Sequence, residues 1–470
     1  METKKHIHIS ERTVEILFFL FILVFYAMWA RVQPLSAGPD EQMRYQIAQY
    51  IYENGKLPVG DDPAVRNAVW GISYAFFPIL DYMIAAVFMK AMSLVSTAPF
   101  ALLFAARCVN VLLGVGTAFV ASLIGKRLFE RRKAWLFTAF IALMPGSLFV
   151  FTYVNCDAMA LFASAVIIYS WVRYLSEGWT WCNCLILAFG VSICTLSYYN
   201  AYGFILCSII FFGITLFVQS KQSGSLIEFL KKGSFVSVIV LAMTGWWFIR
   251  NGILYDGDFL ARNACTLCGE KYAKADYKPS KIVTPRDSGY SLLDMLSKGY
   301  PNEDHLSWME LVSEGFVGKF GAIMEVEMPK WLTNNYMDFI KAGFILVFLH
   351  PIKTFALRIK KTWNKKALFN WCMLIALIIP NILNVYYSYV SDYQPQGRYS
   401  IPMMVPLTYF IVMGYENMVE VQFKDKRLRT ALYTIVCALL VILAVYVFVG
   451  VIWPEYRDVA FGFKALIFGE

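Results

Sequence analysis

The sequence predicts an all-α polytopic membrane protein with about eleven transmembrane helices. Two observations carry this prediction: the share of apolar residues and their arrangement in uninterrupted blocks. Hydrophobic residues make up 59% of the 470-residue chain and charged residues 16%, whereas ordinary soluble domains hold about 45–50% and about 25%. Blocks such as FFLFILVFYAMW and ALLVILAVYVFVGVIW are apolar on every face, so helices built from them have no side that suits water. The composition therefore argues against a large soluble protein with a buried helical core.

The apolar blocks, taken in chain order, give the predicted spans. A helix needs about 20 such residues to cross the hydrocarbon layer of a bilayer. The first block begins near Val14 after a basic N-terminus and has no cleavable-signal pattern, so we expect it to stay as a membrane anchor. The predicted spans are 14–30, 107–125, 134–152, 158–174, 182–198, 202–218, 234–250, 336–352, 367–388, 400–418 and 430–452.

The basic residues set the predicted orientation of these spans. The net charge of +9 arises largely in short stretches between spans, at 126–133, 353–366 and 424–429. Cytoplasmic loops carry such clusters, so the clusters indicate orientation and not a nucleic-acid site. We therefore expect the N-terminus inside and the C-terminus outside.

One apolar stretch, 79–96, decides whether this orientation is consistent. If it crossed the membrane, the cluster 126–133 would lie outside, against the charge rule. The stretch follows Pro78 and contains Asp81 and Lys90, which suits a helix lying along the outer surface. We therefore predict a juxtamembrane helix there.

This topology places two long loops, 31–106 and 251–335, on the outer side together with most polar residues of chemical interest. We expect residues 1–420 to form one transmembrane catalytic region. Residues 421–470 are expected to add a last span with a short outer tail.

The first outer loop opens with Pro39, Asp40 and Glu41, ahead of an amphipathic stretch. Proline suits a first helical turn, and the helix dipole favours carboxylates at that position. Structural and catalytic roles of the two acids both stay open on spacing alone.

A second acid, Asp157, is predicted at the outer end of a span. It could cap the helix that begins at Ala158, or it could face the same outer vestibule as Asp40.

An arginine opens a later span on the outer side, in the run Gln396-Gly397-Arg398-Tyr399. A cation at a helix N-terminus opposes the dipole, and a phosphate would favour it there through bidentate hydrogen bonds. Snorkelling of the side chain to lipid headgroups is the alternative. Arg250, which follows a tryptophan pair at the outer end of another span, is a second candidate phosphate ligand.

The cysteines and histidines predict no metal centre. Cys265 and Cys268 form one C-x-x-C in the outer loop, whereas structural zinc takes four ligands. Outside the membrane a local disulfide is the favoured interpretation, with reduced thiols as the alternative. The chain also lacks glycine-rich nucleotide-binding motifs, which argues against an ATP-driven pump and against a sugar nucleotide as direct donor.

These features together resemble the GT-C glycosyltransferases, which include enzymes that use polyprenyl-phosphate sugars. The shared features are an N-terminal span, a long outer loop that begins with Asp-Glu and contains juxtamembrane helices, an R-L-F-x-R-R run, and a later Asp at an outer turn. The chain is most similar to a bacterial branch of multi-span membrane proteins of unknown function. Four short motifs carry that likeness, over about residues 10–420: Pro39–Glu41, Trp247–Asp258, Phe316–Gly321 and Gln396–Tyr399.

The resemblance implies an inverting glycosyltransferase in a bacterial plasma membrane. It would move a sugar from a polyprenyl-phosphate donor to an extracytoplasmic cell-surface glycan or lipid-linked acceptor. Asp40 would act as general base, with Asp157 and Glu41 orienting the acceptor or holding a metal. The implied ligands of the donor phosphate are Arg398, Arg250, Tyr399 and Gln396, and the implied acceptor vestibule contains Arg44, Tyr199 and Asn200.

The sequence departs from its relatives at two places. Where many relatives carry a lysine near the outer surface, this chain has Ser197-Tyr198-Tyr199-Asn200, and no histidine follows Pro39-Asp40-Glu41. The sequence therefore specifies no definite cofactor, and whether the site binds a divalent metal stays open. Two other functions also stay open: a lipid-linked oligosaccharide flippase or transporter, and a glycan polymerase or ligase.

Overall fold

The structure, a computed structural model, describes residues 10–298, 306–359 and 362–460. This part of the chain is almost entirely helical, and its strands form two short antiparallel hairpins. The predicted all-α class is therefore confirmed.

The first half of the chain holds helices of very different lengths. They are α1 Glu11–Val32, α2 Glu41–Asn54, α3 Leu80–Met92, α4 Pro99–Leu128, α5 Arg131–Leu143, α6 Pro145–Val150, α7 Asp157–Glu177, α8 Trp181–Thr195, α9 Tyr202–Gln222 and α10 Leu226–Leu254. Short 3₁₀ turns occur at Tyr74–Phe76 and Tyr199–Ala201.

The second half adds an outer region and the last long helices. Its helices are α11 Arg262–Tyr272, α12 Leu292–Ser297, α13 Trp308–Val317, α14 Lys330–Leu346, α15 Pro351–Phe355, α16 Lys365–Val390, α17 Met404–Gln422, α18 Lys426–Val447 and α19 Trp453–Ala460. The hairpins pair β1 Lys319–Phe320 with β2 Val326–Glu327, and β3 Arg358–Ile359 with β4 Thr362–Trp363. The remaining turns are 3₁₀ at Ala275–Tyr277, Pro279–Lys281, Val347–Leu349 and Gly397–Met403, and π at Phe448–Ile452.

Six helical segments of the described chain are long and apolar enough to cross a membrane. They are Glu11–Val32, Pro99–Leu128, Asp157–Glu177, Tyr199–Gln222, Lys365–Val390 and Lys426–Arg457. Of the other predicted spans, 234–250 falls within the 29-residue α10, which is not among these six segments, and the rest fall on shorter or interrupted helices. The span 134–152 is divided between α5 and α6, because Pro145 has no N–H to continue the ladder, and 182–198 falls on the 15-residue α8. The count of eleven spans stays a prediction.

The stretch predicted to lie along the membrane surface forms the short helix α3. Its 13 residues extend about 20 Å, which is less than the roughly 30 Å of a hydrocarbon layer. One face of α3 packs against α2 and α4, with Asp81 on the buried side and Lys90 exposed. The length of α3 therefore agrees with a helix that does not span.

Segments that the sequence places on the inner side meet at one end of the protein. Lys126 lies 2.6 Å from Glu15 of the first helix, and Lys133 lies 2.5 Å from Glu416. At the opposite end, the segments predicted outside bring Asp40, Asp157 and Arg398 together. These contacts therefore group connecting segments at two ends of the protein.

The hairpin β1–β2 is anchored to the helices beside that outer end. The ring of Phe320 packs 5.8 Å from Trp29 of α1 and 5.4 Å from Phe149 of α6. Phe448 packs against the same tryptophan at 5.9 Å, so the last long helix is joined to the first. These aromatic contacts hold the loop that follows α13 against the site described next.

Candidate functional site

Asp40 lies immediately before α2 with an unusual backbone conformation. Its φ of 60° and ψ of 8° are left-handed, a conformation that costs a residue other than glycine about 1–3 kcal/mol and often occurs at functional sites. The side chain makes no capping hydrogen bond to the helix that follows. A role for Asp40 as a helix cap is therefore not observed, and its carboxylate points to other partners.

The main partner of Asp40 is Arg398, which comes from the other end of the sequence. Its Nη2 donates to Asp40 Oδ2 at 2.5 Å, and its Nη1 donates to the carbonyl of Pro39 at 3.2 Å. Arg398 is almost fully buried, whereas one-third of the Asp40 side chain is exposed. The pair thus leaves the carboxylate reachable while its counter-cation is held inside the protein.

Neighbouring polar side chains fix the guanidinium of Arg398. Its Nε donates to Gln396 Oε1 at 2.6 Å, and its Nη2 lies 3.4 Å from the hydroxyl of Tyr399. That hydroxyl donates in turn to Gln394 Oε1 at 2.5 Å. Gln396 and Tyr399 therefore position the arginine, and Gln394 is a member of the site that the sequence did not single out.

Asp157 is the first residue of α7 and is fully buried. It does not cap its own helix, because Asn155 Oδ1 accepts the hydrogen bond from the N–H of Ala158 at 2.9 Å. Its Oδ2 lies 3.8 Å from Nη1 of Arg44 and 3.9 Å from Nη1 of Arg398. The predicted convergence of this acid with Asp40 is therefore observed, with arginines between the two carboxylates.

Arg44 is buried beneath Asp40 and does not line an open vestibule. Its Nη2 is 3.7 Å from Asp40 Oδ2, and its Nη1 donates to Cys156 Sγ at 3.0 Å. The ring of Tyr74 lies 4.7 Å from the guanidinium carbon. With 1% of its side chain exposed, Arg44 reaches any bound molecule only through its neighbours.

The two arginines set the charge state of Asp40. Burial by itself raises the pKa of this carboxyl, but the guanidinium groups of Arg398 and Arg44 outweigh burial and bring the pKa down to about 2. Asp40 is therefore ionised at any physiological pH and is ready to accept a proton.

Glu41 lies in a different environment from its neighbour. Its carboxylate is fully buried and accepts two hydrogen bonds from Arg107 of α4, from Nε and Nη2, each at 2.7 Å. The backbone N–H groups of Val154 and Ser36 also donate to it, at 3.0 and 3.1 Å. These four bonds occupy the carboxylate, so the geometry does not support the predicted role of Glu41 in binding acceptor or metal.

Arg107 is a key residue that the sequence reasoning missed. Besides its bonds to Glu41, it donates to the backbone carbonyls of Ala30, Gln33 and Pro34 at 2.6–2.8 Å. It therefore ties the end of α1 and the start of α2 to α4. An arginine within an apolar helix was the available signal, because such a side chain needs a buried partner.

A small cavity of about 20 Å³ lies beside Arg398. Residues of five segments enclose it, from the loop before α2, from α6, from α13, from the β1–β2 hairpin and from the turn Gly397–Met403. The lining residues are Pro39, Gly146, Phe149, Val150, Gly315, Lys319, Gly321, Met324, Arg398 and Ile401. A positively charged group thus faces an enclosed space next to the ionised Asp40.

Close backbone packing fixes the turn that carries Arg398. A Cβ added at Gly397 would clash with the backbone of Gly315 and Phe316, and one at Gly146 would clash with the carbonyl oxygen of Phe316. Glycine is required at both positions because no side chain fits between α13 and its neighbours. The motif Phe316–Gly321 therefore contributes to the site through its backbone.

The remaining predicted site residues have other partners than Asp40 and Arg398 in the described structure. Arg250 donates to the carbonyl of Pro58 at 2.7 Å and stacks 5.3 Å from Trp247, and no contact among the described residues joins it to Arg398. Asn200 donates to the backbone carbonyl of Tyr399 at 3.4 Å, whereas the hydroxyl of Tyr199 points to Leu260. Asn200 thus contacts the backbone of the turn that carries Arg398, and Tyr199 contacts the loop that precedes α11.

The structure does not form the disulfide predicted between Cys265 and Cys268. Both are free, buried thiols on α11, where they belong to a small apolar cluster with Phe76 and Ala261. The thiol of Cys268 donates to the carbonyl of Gly71 at 3.2 Å. Burial raises the pKa of Cys265 to about 12, so the thiols stabilise the packing of the outer loop and have little nucleophilic character.

Comparison with known proteins identifies the fold. No family model matches the sequence, and no curated protein matches it significantly. Among solved structures, the Archaeoglobus fulgidus oligosaccharyltransferase tethered with an acceptor peptide matches with a TM-score of 0.51 at 13% identity, over 93% of this chain and 55% of that chain. The same enzyme in complex with Zn and sulfate matches with a TM-score of 0.51 at 15% identity, over 90% and 52%. ArnT from Cupriavidus metallidurans, bound to undecaprenyl phosphate, matches over 87% of this chain and 78% of that chain, at 13% identity and with a lower TM-score of 0.41.

These matches confirm the expected fold. The protein has the polytopic helical fold of the Archaeoglobus fulgidus oligosaccharyltransferase. The chain spans about half the length of the oligosaccharyltransferase chains that it matches. At such low identity the likeness establishes the fold alone, so activity and substrates have to be argued from the site.

Proposed function

We propose that this protein is an inverting glycosyltransferase that moves a sugar from a polyprenyl-phosphate donor to a surface glycan or lipid-linked acceptor, at the outer face of a bacterial plasma membrane. The observation that carries the proposal is the Asp40–Arg398 pair: an ionised, partly exposed carboxylate in contact with a buried arginine that lines a cavity. The GT-C fold and the meeting of the segments predicted outside support it.

Asp40 is the proposed general base. Its carboxylate takes the proton from an acceptor hydroxyl while the hydroxyl oxygen forms a bond to the anomeric carbon of the donor sugar. A carboxylate with a pKa near 2 is a weak base, but it is always in the form that accepts a proton. A single displacement of this kind inverts the anomeric centre.

Arg398 is the proposed ligand of the leaving phosphate. As the bond between the anomeric carbon and the phosphate oxygen breaks, the electron pair stays on that oxygen, and a fixed cation stabilises the growing charge. The guanidinium lies on the cavity wall and is held by Gln396 and Tyr399, so it needs little rearrangement during the reaction. Arg250 is left out of this proposal because it is engaged with Pro58.

A groove of about 240 Å³ beyond the turn Gly397–Met403 supports a lipid-linked donor. Most of its lining is apolar, and it runs between α13, α14, α16 and α17. The lining residues are Val312, Ser313, Phe316, Met337, Ile340, Lys341, Phe344, Leu377, Asn381, Ser400, Met403 and Leu407. Burying an isoprenoid chain contributes about 0.8 kcal/mol per CH₂ group, so a groove of this kind next to the proposed phosphate ligand suits a polyprenyl tail.

A binding experiment tests the donor site without knowledge of the sugar. Undecaprenyl phosphate, the leaving group shared by such donors, is titrated into the purified protein and followed by tryptophan fluorescence. Loss of charge-assisted hydrogen bonds worth about 1.5–3 kcal/mol predicts that Arg398→Gln weakens binding about 10- to 100-fold. The matched control Arg250→Gln is expected to bind like the wild type, and unchanged binding in Arg398→Gln would remove Arg398 from the site.

A turnover experiment tests the base. Asp40→Asn should lower transfer of labelled sugar from undecaprenyl-phosphate donors about 10²- to 10⁴-fold, while undecaprenyl phosphate still binds. The control is Asp61→Asn, an exposed acid of the same loop, which should leave transfer unchanged. Near-normal turnover in Asp40→Asn would contradict the assignment.

A further inference from the structure

Two carboxylates and two guanidinium groups meet inside the outer end of the protein. Asp40 Oδ2 lies 2.5 Å from Arg398 and 3.7 Å from Arg44. Asp157 Oδ2 lies 3.9 Å and 3.8 Å from the same two arginines. Each arginine therefore contacts both acids, and the space between the acids is filled by guanidinium groups.

This arrangement decides whether a divalent metal fits the site, a question that the sequence left open. One of the matched oligosaccharyltransferase structures is a complex with Zn and sulfate. A hard divalent cation takes about six oxygen ligands at roughly 2.0–2.6 Å. The acids of this site instead have arginine nitrogens as neighbours. In the described part of the chain, no group of three or more His, Cys, Asp or Glu side chains is arranged to hold a metal.

The charge balance leads to the same conclusion. A third acid, Asp81, is buried on α3, and neither of its carboxyl oxygens has a hydrogen-bond partner among the described residues. Burial raises the pKa of Asp81 well above its ordinary value, and the charge of Arg44 only partly opposes this, so its surroundings favour the neutral form of the carboxyl. The carboxyl groups of Asp40 and Asp157 face two arginines, which never lose their charge. A divalent cation would add two uncompensated positive charges to a buried site.

We propose that Arg44 and Arg398 occupy the space between Asp40 and Asp157 where a divalent metal would bind, so that two built-in cations serve this site and it takes no metal. Arg398 lines the cavity, and its action on a phosphate rests on the proposed function. Arg44, with 1% of its side chain exposed, is a positioning residue that holds Asp40 and Asp157 at a fixed separation. The inference concerns the composition of the site and does not depend on which reaction the site performs.

Metal binding to the intact protein tests the inference directly. The purified protein, stripped with a chelator and free of affinity tags, is titrated with Mn²⁺ and followed by electron paramagnetic resonance of the free ion. Mn²⁺ is the probe because it prefers the carboxylate and water oxygens that this site would offer. We expect no stoichiometric binding that depends on Asp40 or Asp157. One Mn²⁺ per chain that is lost in Asp157→Asn would overturn the proposal.

A double-mutant cycle tests the positioning role of Arg44. Arg44→Gln leaves Asp157 without one of its counter-cations, and Asp157→Asn leaves Arg44 with a surplus charge, so each single variant should lower the melting temperature. The double variant removes both charges together. Its melting temperature should therefore fall by less than the sum of the decreases in the two single variants. Strictly additive shifts would show that the two groups do not interact. Neither measurement uses a donor or an acceptor, so their failure is distinguishable from failure of the proposed transferase activity.

Discussion

Replacing Glu41 with glutamine separates a structural role of this residue from a catalytic one. The carboxylate accepts two hydrogen bonds from Arg107 at 2.7 Å and two from the backbone of Val154 and Ser36 at 3.0 and 3.1 Å. Glutamine keeps the size of the side chain but removes its charge and turns one acceptor into a donor. Arg107 is then buried with an uncompensated charge, and breaking a buried ion pair in this way costs about 3–5 kcal/mol.

This loss is large relative to a net stability of about 5–15 kcal/mol. Unfolding by sodium dodecyl sulfate in mixed micelles can be followed through the 13 tryptophans of the chain. We expect Glu41→Gln to unfold at a clearly lower detergent fraction than the wild type. The matched control is Glu53→Gln, in which the altered acid is exposed on the same helix and contacts only Gln49 in the described structure, and it should unfold like the wild type.

Two results would refute the reasoning. If Glu41→Gln were as stable as the control, the buried pair would not hold α2 against α4. If Glu41→Gln kept its stability but lost sugar transfer, Glu41 would take part in the reaction, as the family resemblance implies. The double variant Glu41→Gln/Arg107→Gln should regain part of the lost stability, because no charge then remains unpaired.

Three further predictions follow from the site and the outer loop. Arg398→Gln removes the main group that lowers the pKa of Asp40, so the acidic limb of the pH–rate profile should move to higher pH. In the wild type, the Asp40 pKa of about 2 keeps this limb far below neutrality. An unmoved limb would mean that a group other than Asp40 controls it. Gly397→Ala should lower the free energy of unfolding by about 1–3 kcal/mol through overpacking. The control Gly233→Ala should not, because the space around Gly233 is open. Equal stability of the two variants would contradict the close packing at Gly397. Both cysteines of α11 should react with a maleimide in the denatured, unreduced protein and resist it when folded, and a thiol that stays blocked after denaturation would establish a disulfide.

Much of the fold follows from composition and charge. Apolar blocks of membrane-spanning length specify helices because no other spanning segment satisfies its own backbone hydrogen bonds, and the structure places long helices at six of them. The basic clusters predict which connecting segments share a side of the membrane. That grouping is why Asp40, Asp157 and Arg398, more than one hundred residues apart from one another, could be predicted to meet.

The partners within the site could not be predicted in the same way. Asp40 and Glu41 are neighbours in sequence but lie in different environments. Asp40 is partly exposed beside Arg398, whereas Glu41 is buried against Arg107. The difference depends on the left-handed backbone at Asp40 and on the position of Arg107 within α4, and both are tertiary features. Arg250 was grouped with Arg398 because both are predicted at the outer end of a span, but a shared side of the membrane does not define the distance between two residues.

The most direct test of this account is an experimental structure with undecaprenyl phosphate bound. The account predicts phosphate oxygens about 2.8 Å from the guanidinium nitrogens of Arg398, with the isoprenoid chain in the groove between α13, α14, α16 and α17. It also predicts the carboxylate of Asp40 on the side of the phosphate where an acceptor can approach. A phosphate bound at Arg250 or elsewhere, with the cavity beside Arg398 empty, would contradict the account.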